Sequence, residues 1–210
     1  MQRRRLLILG ATGGTGRQLV EQALTAGHEV TAFVRDSANL PPGPVHIVGG
    51  DMLRDAARLD DAIRGQDAVI SALGVGQSFK PAGLIATAAP RVVDAMQRAG
   101  VRRLIFISAF GVGPTWADTP LLPRLFIRTL LRHVYADKAA GEAAIRTSSL
   151  DWTLVYPVGL TDGRPASRVR VAEHLPLRGF PTVSRANVAA VALQLLGDPS
   201  AIRKSLLVAN

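Results

Sequence analysis

The heptad GATGGTG at residues 10–16 lies between the apolar run LLIL and the helical pattern RQLVEQALTAG. Four glycines in seven residues at a strand-to-helix junction mean that something comes closer to this backbone than a side chain would allow. Gly10, Gly13 and Gly16 stand at i, i+3 and i+6, directly after the predicted strand and at the start of the predicted helix. In that setting Gly10 permits the tight turn, Gly13 leaves no side chain between the backbone and a pyrophosphate, and Gly16 lets the helix pack closely on the strand. The free N–H groups and positive end of the helix would then face the phosphates. The alternative is a bare tight turn between strand and helix.

Short β-branched and leucine-rich runs alternate with longer helical patterns along the chain. RLLILG, EVTAFV, PVHIVGG, DAVISALG and RRLIFISA read as strands; TGRQLVEQALTAG, RDAARLDDAIRG and LIATAAPRVVDAMQRAG, with apolar residues every three or four positions, read as helices. This order predicts an α/β fold with a doubly wound, mostly parallel sheet and helices on both faces. Residues 111–124, with three prolines and two glycines, predict a loop after the fifth strand. LFIRTLLRHVYADKAAGEAAIRTS then reads as one long helix or two short ones, and DWTLVYP as a further strand. Residues 159–183, rich in Gly, Pro and Arg with short β signals at SRVRVA and FPTV, predict a small irregular appendage on the substrate side. Ser184 is placed to cap the helix RANVAAVALQLLG, and SLLVA reads as the last strand. A single domain over residues 1–210 is expected.

Composition narrows the class. With 48% hydrophobic and 20% charged residues the chain is globular. No apolar stretch approaches the roughly 20 residues that span a bilayer, and the opening lacks a signal-peptide cleavage pattern, so a cytoplasmic location is expected. The absence of cysteine excludes disulfides, thiolate metal ligands and a cysteine nucleophile. His28, His46, His133 and His174 have no metal-ligand spacing, and no metal is expected. The formal charge of +9 comes almost wholly from arginines spread along the chain, which reads as a solvated surface rather than a nucleic-acid site. Arg124, Arg128 and Arg132 make an i, i+4, i+8 stripe opposite leucines. An interfacial membrane helix has this pattern, and so does an ordinary amphipathic helix laid on a sheet, which is the reading preferred here.

At the end of the second strand a carboxylate would bind an adenosine ribose, whereas an arginine would receive a 2′-phosphate. The chain reads TAFVRD, placing Arg35 there and favouring NADP(H) over NAD(H); a shift of one residue would give Asp36 to the ribose instead.

GATGGTG, VTAFVRD, GGDM, DAVISALG, FISAF and SSLDWTLVYPVGLTDG together resemble the atypical short-chain dehydrogenase/reductase family, in the group of NmrA-like proteins and biliverdin reductase B, the flavin reductase. The similarity covers nearly the whole chain and is densest over residues 5–110. The resemblance implies a Rossmann fold and a cofactor site in which Gly10, Thr12, Gly13, Gly14, Thr15 and Gly16 hold the pyrophosphate and Arg35 meets the 2′-phosphate. It further implies that Asp51 and Met52 flank the adenine, while Ala72, Leu73 and Gly74 pass beside the ribose. Asp51 has a plainer alternative, a helix cap or turn residue.

Ser108 ends the fifth strand, where short-chain dehydrogenases carry the serine that polarises a carbonyl; the alternative is a satisfied hydroxyl at a strand end. The wider superfamily pairs that serine with Tyr-x-x-x-Lys on one helical face, so that the ammonium lowers the phenol pKa. Here Tyr135 and Lys138 are three apart, a spacing that still leaves two side chains near one another on a helix. The resemblance matches Lys138 and Glu142 to a lysine and a following acid of the family. Lys138 is expected to reach the nicotinamide ribose and Tyr135 to donate a proton, with His133 as fallback. Tyr156, Pro157 and Val158 occupy the place of the family's Arg-Pro-Gly segment beside the nicotinamide. Phe79, Phe110, Trp116 and Phe126 either close a flat apolar pocket or belong to the core.

The expected activity is hydride transfer from NADPH to a flat conjugated acceptor such as a flavin, quinone or linear tetrapyrrole. The alternative is a non-catalytic NADP(H)-binding redox sensor of the NmrA type. A nucleotide-sugar epimerase or dehydratase is a third reading, disfavoured by the displaced tyrosine and the short chain. Expected partners are a small aromatic or conjugated substrate, with no nucleic acid and no membrane, in a monomer or homodimer.

Overall fold

A computed structural model describes residues 2–74 and 83–210. Five largely buried segments form the centre. β1 (Arg5–Leu9), β4 (Ala68–Ser71), β5 (Arg103–Ile107) and β6 (Asp151–Pro157) have almost no exposed side chain, and β2 (Glu29–Val34) exposes only its first residue. Strands buried on both faces need near-continuous apolar runs rather than alternation. Leu6–Leu9 supply such a run with no exposed surface at all.

The main sheet has eight strands in the order β3-β2-β1-β4-β5-β6-β10-β8, with β3 at Val45–Gly49, β8 at Arg170–Ala172 and β10 at Lys204–Ala209. Every pairing is parallel except the last, where β8 runs antiparallel to β10. This is the mostly parallel Rossmann sheet expected. α1 (Gly14–Thr25) packs with α6 (Arg185–Leu195), and α3 (Leu84–Ala99) packs with α5 (Arg132–Thr147) and α2 (Ala56–Ile63). Segment 159–183 is less separate than an appendage: β8 completes the main sheet, while β7 (Gly159–Thr161) pairs with β9 (Thr182–Ser184) in a two-stranded ladder. Ser184 caps α6, its hydroxyl accepting the Asn187 N–H at 3.1 Å.

α3 and α5 approach so closely that a β-carbon on Gly141 would lie 2.6 Å from the Ile85 carbonyl oxygen. One turn earlier on α5, the buried Asp137 carboxylate accepts the N–H groups of Ile85 and Ala86 at 3.1 and 2.9 Å. α3 begins after Gly83, which has no side chain to offer, so a residue from another helix performs the cap.

The predicted helix before β6 is continuous in path but not in type. α4 (Leu121–Phe126) runs into a π turn at Ile127–Leu131 and then into α5. The wider π turn breaks the 3.6-residue phase from Ile127 onward, so Leu130 no longer keeps the spacing to Leu121 and Leu125 that the prediction of one leucine face assumes. Leu121, Leu125 and Leu130 are 80%, 62% and 62% exposed, so these three leucines do not lay the helix on the sheet. No helix among the described residues is long and apolar enough to cross a membrane.

Candidate cofactor and active site

The glycine turn and the segments after β2, β3, β4, β5 and β6 lie at the carboxyl ends of the parallel strands, the edge where open α/β sheets bind ligands. Gly10 adopts φ +76°, and a β-carbon there would lie 2.7 Å from the Ala72 carbonyl oxygen at the end of β4. At Gly16 it would lie 2.0 Å from the Gly10 carbonyl oxygen, so α1 can start this close to the turn only with glycine. Gly13 differs: a β-carbon would meet nothing nearer than the Gly10 carbonyl oxygen at 3.4 Å, and its outer side is open. No side chain caps α1 and no acid lies in its first turn, which leaves the positive helix end for an external anion. Thr12 is half-buried and Thr15 buried beside it.

One residue at this turn escaped the sequence reading. A β-carbon on Gly14 would lie 2.7 and 2.8 Å from Cδ and Nε of Arg185, whose guanidinium pairs with the exposed Asp162 at 2.9 Å. A cation beside a helix N-terminus is unfavourable unless an anion offsets it, as Asp162 does here. The local sequence marks only Ser184 as a cap, and nothing in it links position 185 to the glycine turn.

At the adenosine end, Arg35 follows β2 and is exposed. The Asp36 carboxylate is turned into its own loop, accepting the Ala38 N–H at 2.9 Å. The Asp51 carboxylate likewise accepts the Leu53 N–H at 2.7 Å, while the Asp51 N–H donates to Asp55 at 2.8 Å. Met52 is buried, and its carbonyl accepts from Arg91 at 3.1 Å. Ala72 and Leu73 are half-buried after β4, and Gly74 is exposed. Phe79 lies outside the described residues.

Beyond β5 the polar groups converge on one carboxylate. Glu142 of α5 is 2% exposed; it accepts the Ser108 hydroxyl on Oε1 and the Tyr156 hydroxyl on Oε2, the latter at 2.7 Å. Arg146 donates to the Tyr156 oxygen at 2.6 Å and to Ser205 at 3.0 Å, and stands 3.7 Å from Glu142. Burial and the neighbouring Glu142 charge together raise the Tyr156 pKa well above a free phenol. Tyr156 is therefore enclosed, with its ring and hydroxyl inside the protein. The Pro157 carbonyl accepts the Phe110 N–H, and the Val158 N–H is paired to Val208.

Tyr135 donates its hydroxyl to the Phe110 carbonyl at 3.1 Å, and burial pushes its pKa up to about 12. Lys138 is half-buried; desolvation lowers its pKa, opposed by the Glu142 and Asp137 carboxylates. His133 is exposed against Arg132. Phe110 is buried core, Trp116 is half-buried with the Arg124 guanidinium 5.4 Å from its ring centre, and Phe126 is 47% exposed. Two concavities of 480 and 470 Å³ lie away from this edge, one between β8, β10 and α6 and one at the amino ends of β1 and β2. No group of three or more His, Asp or Glu residues able to hold a metal occurs among the described residues.

The open glycine turn, the uncapped helix end and Arg185 beside it fit a dinucleotide phosphate. The comparisons agree. Residues 10–199 match the model of a family described as NAD(P)H-binding. The chain is 30% identical over 218 residues to an uncharacterized chloroplastic protein of Arabidopsis thaliana, covering 99% of this chain and 77% of that protein. It is 30% identical over 176 residues to the oxidoreductase stcQ of Emericella nidulans, covering 73% of this chain and 64% of that one, less than two thirds of its length. Among solved structures it is similar to ChuY, an anaerobillin reductase from Escherichia coli O157:H7, with a TM-score of 0.80 at 26% identity, over 97% of this chain and 96% of that chain.

Proposed function

Because the chain belongs to the NAD(P)H-binding family, within the atypical short-chain dehydrogenase/reductase group, we propose that it is an NADPH-dependent reductase passing hydride to a flat conjugated acceptor such as a flavin, a quinone or a linear tetrapyrrole. The bound nicotinamide would supply the hydride, and the protein would bind, orient and cover it. The glycine turn and the α1 N–H groups would hold the pyrophosphate, with Arg185 beside it. Arg35 would take the 2′-phosphate, since Asp36 is engaged by Ala38. Lys138, an ammonium with a lowered pKa on the face of α5 near Glu142, is the candidate for the nicotinamide ribose.

The observation that carries the acceptor class is the engagement of both candidate hydroxyl protons. Ser108 donates to Glu142 and Tyr135 to the Phe110 carbonyl, so neither proton points at a substrate. A conjugated acceptor suits such a site, because after it takes the hydride its proton can come from water rather than from a positioned phenol. The reductase name of ChuY is in keeping with this reading. The test is NADPH oxidation with FMN, menadione and biliverdin as acceptors. Turnover above buffer with any one supports the proposal, and none with all three overturns it.

The same engaged hydroxyls favour a second reading, a non-catalytic NADP(H) sensor. Calorimetric titration separates the two: tight binding of NADP⁺ and NADPH with similar affinity and no turnover is the sensor outcome.

A further inference from the structure

The segment from Thr119 to Ala136 contains no acidic residue, yet it carries three arginines and a row of large apolar side chains. Leu121 (80%), Leu125 (62%), Phe126 (47%) and Leu130 (62%) are the densest group of exposed large hydrophobics in the described chain. Patches of this kind on a protein surface mark interaction sites. Of the arginine stripe, Arg124 is turned inward: it donates to the Trp116 and Ala117 carbonyls at 2.9 Å and covers the Trp116 ring. Arg128 and Arg132 are exposed, Arg132 donating only to the neighbouring His133, and neither forms an ion pair with a carboxylate among the described residues.

We propose that this helix, α4 with its π turn, docks peripherally on an anionic lipid surface, with the leucines and Phe126 entering the headgroup boundary and Arg128 and Arg132 pairing with lipid phosphates. Three observations select this occupant. The charge is wholly basic, which complements anionic headgroups and attracts the helix over a Debye length. The apolar side chains lie along one continuous helical segment, and neither concavity described above includes them. A two-fold contact with a second copy would bring Arg128 and Arg132 toward their own symmetry mates, a like-charge cost that a lipid surface does not impose. An amphipathic helix of this composition buries its apolar face about 5–10 Å into the interface without spanning it. The proposal does not depend on the cofactor or on catalysis.

The test is flotation of the intact protein with vesicles of phosphatidylcholine alone and of phosphatidylcholine mixed with phosphatidylglycerol. Binding is expected only to the anionic vesicles, falling with added salt. Substituting Arg128→Glu with Arg132→Glu, or Leu121→Ser with Leu125→Ser and Leu130→Ser, is expected to weaken it roughly tenfold or more. Because these side chains are exposed, the thermal midpoint and NADPH affinity of the variants are expected to match the parent, which separates lost docking from lost folding. Equal binding to both vesicle types, no binding to either, or parent-like binding by both variants would overturn the proposal. So would light scattering that shows a dimer dissociated by the leucine substitutions, since the occupant would then be a second copy.

Discussion

The Tyr156 hydroxyl donates to Glu142 Oε2 across 2.7 Å, tying the end of β6 to the middle of α5 inside the protein. Glu142 also accepts from Ser108, so one carboxylate holds the ends of two neighbouring strands against one helix. Removing one member of a buried, charge-assisted set costs more than the bond itself, because the partners remain desolvated and unpaired. Glu142→Ala is expected to lower unfolding stability by about 3 kcal/mol. Glu142→Gln keeps one acceptor oxygen and is expected to cost about half of that, and Tyr156→Phe about 1 kcal/mol. Urea unfolding of the three variants checks the order; a Glu142→Ala variant as stable as the parent would contradict the role given to this carboxylate.

Asp137 serves α3 as a cap supplied from α5. Replacing a capping carboxylate by alanine costs on the order of 1–2 kcal/mol, so Asp137→Ala is expected to destabilise by that amount. The loss should show first as faster amide exchange at Ile85 and Ala86, whose N–H groups lose their acceptor. Unchanged exchange there would mean that the cap is made by something else.

The strands and the glycine turn were legible because each has a local cause. Buried parallel strands need unbroken apolar runs, as in Leu6–Leu9, and the turn needs glycine where a β-carbon would strike the Ala72 or Gly10 carbonyl. What the sequence did not disclose depends on long-range packing. Asp137 reads as an ordinary polar residue on a helix until α3 arrives beside it. Arg185 reads as the residue after a cap until α6 lies along α1. The resemblance puts Tyr156 beside the nicotinamide, but it does not say whether a hydroxyl has an internal partner, and Glu142 with Arg146 supplies one. Leu130 falls within the π turn at Ile127–Leu131, where the 3.6-residue period that predicts its place no longer holds.

Lys138 predicts a pH dependence of stability. Desolvation lowers its folded-state pKa below the ordinary lysine value, so between the two the unfolded chain binds the extra proton. Its burial therefore weakens the fold below the folded pKa, and the penalty is relieved as pH rises toward the unfolded value. Lys138→Met is expected to raise the stability of the cofactor-free protein at neutral pH, with the gain shrinking under alkaline conditions. Denaturant midpoints measured from neutral to alkaline pH check this. If Lys138 also reaches the nicotinamide ribose, the same variant binds NADPH more weakly while being more stable, a combination that loss of folding does not produce.

The two arginines of the cofactor edge should differ in what they discriminate. Arg185 lies against Gly14 at the turn proposed to hold the pyrophosphate, a moiety common to NADPH and NADH, whereas Arg35 is proposed to take the 2′-phosphate, which only NADPH carries. A charge-assisted pair to phosphate is worth about 1.5–3 kcal/mol, or roughly ten- to a hundredfold in affinity. Arg185→Ala is thus expected to weaken NADPH and NADH alike, while Arg35→Ala weakens NADPH and leaves NADH nearly unchanged. Asp162→Asn tests the same site from the other side. Asp162 holds the Arg185 guanidinium at 2.9 Å and competes with the cofactor phosphate for it, so removing its charge is expected to tighten both nucleotides modestly. Calorimetric titration of each variant with both cofactors and with 2′-AMP, which lacks the pyrophosphate, decides the matter. Loss of 2′-AMP binding in Arg185→Ala, or unaltered affinity for both dinucleotides, would remove Arg185 from the pyrophosphate site.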